Sequence, residues 1–184
     1  PMVTTRLLTA DDLFQLGPDA PYELIEGELI EVNPPGGIHG EVAARLTVDV
    51  GSFVLAQKLG KIFSHDAGFL LHRDPDTVLG PDIAFIRRGR LPKSPVAYID
   101  VVPDLVIEVV SPSNTRPSVE RKTRIYLEAG VEQVWMADPL RLEFRVIQRE
   151  GGEERYGIDE TISGGDLLPG FAFRFRDLFD EDDI

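Results

Sequence analysis

Four residues of this sequence have the type and spacing to do chemistry together: Asp82, Glu108, Lys122 and His39. Glu108 lies in the run Asp104–Ser111, DLVIEVVS, among Leu105, Val106, Ile107, Val109 and Val110. An apolar, β-branched run of this kind reads as a central strand buried on both faces. A carboxylate inside it is desolvated at a cost of several kcal/mol unless something meets it. That partner is either an arginine or backbone amide in a structural pair, or a metal ion. Asp82 follows Gly80-Pro81 and opens the strand-like Ile83–Ile86. Turn chemistry alone would account for an aspartate there. On neighbouring strands of one sheet, however, Asp82 and Glu108 can converge, and two such carboxylates stay ionised together only beside a cation. Their hard oxygen donors suit Mg²⁺ or Mn²⁺.

Lys122 falls on the helix expected after Glu108. Val119, Lys122, Tyr126 and Ala129 are spaced by three, four and three residues and form one stripe. The apolar members turn that stripe to the core, so Lys122 points inward or to the edge of a cleft. There it meets a carboxylate, or its stem packs while its head reaches water. His39 follows Pro34-Pro35-Gly36-Gly37 at the start of a long helix. It can stand over a cleft as an acid-base group or phosphate contact, or serve only as a polar helix end. Glu28, beside a hairpin turn, reads as structural. Asp100 and Asp104 read as loop carboxylates flanking the central strand.

The elements that must position these groups follow from periodicity and punctuation. Thr9-Ala10-Asp11-Asp12 is a capping-box-like start to a short helix that ends at Gly17. Tyr22–Ile25 and Glu28–Val32 make a hairpin around Glu26-Gly27. Val42, Leu46, Val50, Phe53 and Val54 give the helix His39–Leu59, with Gly60 as its stop. Ile62–Leu71 reads as one long or two short strands, with Gly68 as a possible bulge. The segment Arg87–Ile99 is a loop. Pro117 suits the first turn of a helix that Gly130 ends. Val134–Ala137 and Leu142–Gln148 are strands, and Phe171, Phe173 and Phe175 make an aromatic strand of period two, available to a dimer.

The chain of 184 residues is expected to be one domain, 1–184, large enough for a substantial core. It has no cysteine, so thiolate sites and disulfides are excluded. No apolar run is long enough to span a membrane, and the N-terminus lacks a signal-peptide layout, which together fit the cytoplasm. A net charge of −13 excludes a broadly basic nucleic-acid binder. Arg87, Arg88, Arg90 and Lys93, then Arg116, Arg121, Lys122 and Arg124, nevertheless form two locally basic stretches, while Asp180-Glu181-Asp182-Asp183 is an acidic, solvated end.

Pro81-Asp82, Glu108 within an apolar strand and an inward Lys122 resemble the PD-(D/E)-x-K nuclease pattern. One departure is plain: the lysine two positions after Glu108 is Val110. Some members of that superfamily carry the lysine on the following helix, where Lys122 lies. More closely, the chain resembles the Uma family of restriction-endonuclease-like proteins. The matching stretches are Tyr22–Glu28 (YELIEGE), His39, Gly80–Ile86 (GPDIAFI), Asp104–Ser113 (DLVIEVVSPS), Lys122 with Tyr126, Ala129–Val131 (AGV), Val134–Pro139 (VWMADP) and Leu168–Phe171 (LPGF).

The resemblance implies an α/β fold with a restriction-endonuclease-like core, a mixed central sheet flanked by helices, and additional antiparallel strands. It implies a metal-dependent nuclease hydrolysing phosphodiester bonds, with DNA favoured over RNA. Asp82 and Glu108 would hold Mg²⁺ or Mn²⁺, and Asp82, Glu108, Lys122 and His39 would be catalytic. A homo-oligomer, with a dimer favoured, would follow from cutting both strands. The alternative is a non-catalytic binding or assembly module that keeps the fold and uses the same groups as a buried ion network. The missing lysine at Val110 and the acidic charge speak for that alternative.

Overall fold

The computed structural model describes residues 6–17 and 20–180. In chain order they form α1 (Ala10–Gln15), β1 (Tyr22–Ile25), β2 (Glu28–Glu31), α2 (Gly37–Ala56), β3 (Gly60–Ser64), β4 (Phe69–His72), β5 (Thr77–Leu79) and β6 (Ile83–Arg87). Then come β7 (Leu105–Val109), α3 (Arg116–Ala129), β8 (Gln133–Asp138), β9 (Glu143–Gln148), β10 (Glu153–Gly157), β11 (Thr161–Ser163), β12 (Ala172–Arg174) and a 3₁₀ turn at Phe175–Leu178. Among the described residues no helix is long and apolar enough to cross a membrane.

The architecture is the expected α/β one. A six-stranded mixed sheet runs in the order β10-β9-β8-β7-β6-β3, and a four-stranded antiparallel sheet in the order β2-β1-β5-β4. The apolar run around Glu108 is β7, in the middle of the larger sheet, antiparallel to β6 and parallel to β8. The parallel pair requires a crossover, and α3 supplies it.

Strand alternation decides where the polar groups go. Ile83, Phe85, Leu105, Ile107 and Val109 face α2, packing with its Val42, Leu46, Val50 and Val54. Ala84, Ile86 and Val106 face the opposite way, toward Tyr126 of α3 and Phe69, Leu71 and Leu79 of the smaller sheet. By the same period of two, Asp82 and Glu108 belong to this second face. The β6–β7 register pairs Ile83 with Ile107 and Ala84 with Val106. Continued one step, it sets Asp82 opposite Glu108.

Local signals explain the flanking elements. Thr9 and Asp12 close the capping box of α1. Glu26 and Gly27 both take positive φ, as a two-residue hairpin turn of the primed type requires. Thr115 caps α3, and Gly130 ends it at φ +111°. The long helix differs from expectation at both ends, running Gly37–Ala56 rather than His39–Leu59. Gly60 is not its stop. It starts β3, where an added Cβ would lie 2.0 Å from the carbonyl oxygen of Ile86, so glycine is required for strand approach.

Ile62–Leu71 divides between two sheets, β3 and β4. Strands β5, β10 and β11 carried no usable apolar alternation; every residue of β10 except Tyr156 is exposed. Phe171, Phe173 and Phe175 are not free for a dimer. All three are buried and pack with Trp135 or Phe144, closing the core over the α2 face. Asp104 is more than a loop carboxylate. It is buried, accepts the Arg87 backbone N–H at 2.8 Å and the Arg87 guanidinium at 3.2 Å, and is ion-paired with the Arg90 guanidinium at 2.8 Å. It thereby fastens the end of β6 to the start of β7. The acidic tail beyond Asp180 lies outside the described residues.

Candidate active site at the end of the central strands

The site forms where β6 begins and β7 ends, under α3 and β1 of the smaller sheet. Asp82 precedes β6. Its Oδ2 accepts the backbone N–H of Val109 at 2.7 Å and faces His39 Nε2 at 3.2 Å. Glu108 projects from β7 toward α3. Its Oε1 accepts the Tyr126 hydroxyl at 2.6 Å and lies 3.7 Å from Lys122 Nζ. Lys122 reaches the site from α3 on the stripe that buries Tyr126. Its closer carboxylate is Glu23 of β1, whose Oε1 is 2.9 Å from Nζ and also accepts the Gly80 N–H at 3.1 Å.

All four residues singled out in the sequence therefore gather at one place, but not all in the expected posture. His39 does not stand over a cleft. It is buried against Asp82, and its Nδ1 has no partner among the described residues. Two further groups escaped the sequence reading. Glu23 is buried in a strand otherwise unremarkable in composition; its position before Leu24-Ile25, in the matched stretch YELIEGE, was the available signal. Tyr126 was read as an apolar member of its stripe and, with Lys122, as part of the matching pattern, but not as a hydrogen-bond donor, although a buried phenol needs a partner. Glu28 is exposed at the hairpin.

The electrostatics follow from crowding carboxylates in a half-dry site. Burial is the main force pushing the Glu108 carboxyl up, to about 7, with Asp82 and Glu23 adding and Lys122 and Tyr126 opposing. Burial works against the Lys122 charge, but Glu108 and then Glu23 outweigh it and hold the ammonium above its ordinary range. Burial and then the Glu108 charge raise the Tyr126 phenol well above its usual value, so it remains a donor. Burial pulls the His39 imidazole down, yet the hydrogen bond and charge of Asp82, backed by Glu108, leave it raised.

Each motif carboxylate thus commits one oxygen to the protein. Among the described residues no protein donor forms a hydrogen bond with Asp82 Oδ1 or Glu108 Oε2. No group of three or more histidine, aspartate or glutamate side chains forms a ready cage for a metal among those residues. The donor set still fits a hard divalent cation. Mg²⁺ is commonly held by one or two carboxylates, its other positions filled by water and phosphate oxygen. Burial first, and then the charges of Asp82 and Glu23, raise the Glu108 carboxyl, and the negative field of these carboxylates is one that such an ion would relieve. A small cavity leads from Glu108 and Lys122 past Val110 to Asn114 and Ser118 near the first turn of α3.

The basic stretches are mostly occupied by acids of the chain itself. Arg87 and Arg90 clasp Asp104, Arg116 pairs with Glu120, and Arg121 lies 3.5 Å from Glu26.

The family model described as "Uma2: Putative restriction endonuclease" matches residues 10–176. Among solved structures, a crystal structure described as a putative nuclease belonging to DUF820 from Anabaena variabilis ATCC 29413 superposes with a TM-score of 0.80 at 23% identity. The match covers 94% of this chain and 97% of that one, so the two share a fold. Among curated proteins none matches.

Proposed function

The chain belongs to the family described as "Uma2: Putative restriction endonuclease", and from that premise we propose that it is a divalent-metal-dependent nuclease that hydrolyses phosphodiester bonds in DNA. The observation that carries this reading is the meeting of Asp82, Glu108 and Lys122, with one oxygen of each motif carboxylate accepting no hydrogen bond among the described residues. Asp82 and Glu108 would hold Mg²⁺ or Mn²⁺. When bound, the ion supplies Lewis-acid activation of water and neutralises charge on the scissile phosphate. Lys122 orients the attacking water and balances negative charge that develops on the phosphate oxygens. Tyr126 fixes the Glu108 carboxylate through Oε1, and His39 fixes Asp82 through Oδ2, so His39 is a positioning residue rather than a proton carrier. DNA is preferred on the strength of the family, and a dimer because cutting both strands needs two sites.

A cleavage assay on supercoiled, linear and single-stranded DNA and on RNA, with Mg²⁺ or Mn²⁺, tests the reading. Metal-dependent cutting that Glu108→Gln abolishes is expected, with size-exclusion light scattering reporting the dimer. The second reading is a non-catalytic binding or assembly module. It draws on Val110 in the usual lysine position and on the net charge of −13. A folded wild type that cuts no substrate and is stabilised by neither ion would establish it.

A further inference from the structure

We propose that Glu23 is a positioning residue that tethers the Lys122 ammonium away from Glu108, keeping the Glu108 carboxylate open to a metal ion. The inference rests on the reading of Asp82 and Glu108 as the metal-holding pair. Lys122 Nζ lies 2.9 Å from Glu23 Oε1 but 3.7 Å from Glu108 Oε1. An N–O⁻ separation of 2.9 Å is a direct ion-pair contact, whereas 3.7 Å is only electrostatic proximity. Without a holder, the mobile ammonium of a lysine would close on the second carboxylate, because both are only slightly exposed. A lysine cation on Glu108 would neutralise the charge that draws in a metal.

Glu23 is well placed to prevent this because it is itself held. The oxygen that takes Lys122 also accepts the Gly80 N–H at 3.1 Å. Gly80 begins the Gly80-Pro81-Asp82 segment, so one carboxylate fixes the lysine relative to the backbone that delivers Asp82. Glu23 comes from the smaller sheet, outside the Asp82, Glu108 and Lys122 set. The small sheet would therefore be part of the active site rather than an appendage to it.

Simple loss of negative field is the rival explanation for any effect of changing Glu23, and Glu23→Asp separates the two. That variant keeps the charge but shortens the reach by one methylene. Mn²⁺ binding to the whole chain is measured by calorimetry for wild type, Glu23→Asp, Glu23→Gln and Lys122→Met, and for each Glu23 change combined with Lys122→Met. Both Glu23 changes are expected to weaken Mn²⁺ about tenfold. In the Lys122→Met background the same changes should cost less than about twofold, since no ammonium remains to stray. Undiminished binding in Glu23→Asp, or equal losses in both backgrounds, overturns the tether. A crystal structure of metal-free Glu23→Asp gives a readout independent of the ion: Lys122 Nζ should move within hydrogen-bond distance of Glu108. If the wild type binds no Mn²⁺ yet Nζ moves, the metal reading falls and the tether stands. If it binds Mn²⁺ and Nζ stays where it is, the tether falls alone.

Discussion

Lys122 is paired more closely with Glu23 than with Glu108, at 2.9 Å against 3.7 Å. The energetic consequence is that Glu108 can lose its charge without stranding the lysine. Breaking a buried pair costs about 3–5 kcal/mol when the survivor is left uncompensated. Here the survivor keeps its nearer partner. Glu108→Gln is therefore expected to cost no more than about 1 kcal/mol of unfolding free energy, the scale of the altered Tyr126 hydrogen bond. Glu23→Ala removes the acceptor of both Lys122 and the Gly80 N–H and should cost about 2–3 kcal/mol. Urea unfolding of the two variants checks the order; a larger loss in Glu108→Gln would contradict it.

The raised Glu108 carboxyl makes stability fall with rising pH in the metal-free protein. Its ordinary value is 4.5 and its value in the fold is about 7. Between the two, the unfolded chain releases a proton that the folded chain keeps, so unfolding is favoured progressively. The contribution is complete below about 4.5, declines as pH climbs toward 7, and is level above. Subtracting Glu108→Gln melts from wild-type melts across that window isolates the slope. A difference curve that is flat, or that rises with pH, would show that Glu108 is not held this way.

Glu108 itself was legible in the sequence because only one charge interrupts an otherwise apolar β-branched strand, and Lys122 because a stripe of apolar residues carries it. The turn residues also spoke plainly: Glu26-Gly27 and Gly130 occupy backbone positions with positive φ. Glu23 was hidden because β1 is a four-residue strand, too short for alternation to distinguish an inward acid from an outward one. The role of Tyr126 was hidden because its ring satisfies the apolar pattern, and only coordinates reveal where its hydroxyl points. Gly60 misled because a glycine after a helical pattern looks like a stop, while its actual constraint is a cross-strand approach. The aromatic strand misled similarly, since an apolar face does not tell whether its cover is the chain's own core or a second copy.

His39 offers a direct test of positioning against proton transfer. His39→Ala leaves Asp82 with the Val109 N–H but without its second contact. Metal affinity should fall about tenfold, the size expected when a group orienting a ligand is lost. The pH–rate profile should keep its shape, because no proton carrier has been removed. His39→Gln, which can return a donor to Asp82, should recover part of the affinity. Loss of one limb of the profile in His39→Ala would assign the imidazole to acid-base chemistry instead.

Asp104 tests the clasp that holds β6 to β7 at the end away from the chemistry. It is 2% exposed, whereas the side chains of Arg87 and Arg90 are 38% and 43% exposed. When Asp104 is replaced by Asn, water can still reach both arginines, which moderates the loss. A cost of about 2–3 kcal/mol is expected from the weakened charge-assisted hydrogen bonds. Mn²⁺ affinity should stay within about twofold, as distant sites act independently. Chemical denaturation and calorimetry measure the two quantities, and a large fall in affinity at unchanged stability would tie Asp104 to the site.

The final prediction concerns where the lysine of this site can stand. Val110 follows β7 and lies two positions beyond Glu108, so strand alternation carries both toward the same face. Val110 also lines the small cavity that Glu108 and Lys122 share. A lysine at 110 could thus bring its ammonium to the place that Lys122 now serves from α3. Lys122→Met should reduce cleavage at least about a hundredfold by removing charge stabilisation at the phosphate, while Mn²⁺ still binds. Adding Val110→Lys should then restore at least about tenfold of the loss, with the remaining deficit reflecting the missing Glu23 tether. Val110→Lys alone should weaken Mn²⁺, because it sets beside Glu108 a second ammonium that Glu23 does not hold away. Single-turnover cleavage, Mn²⁺ calorimetry and thermal melts on the three variants decide the matter. A folded double variant that binds Mn²⁺ but remains as inactive as Lys122→Met would show that the lysine acts only from the helix.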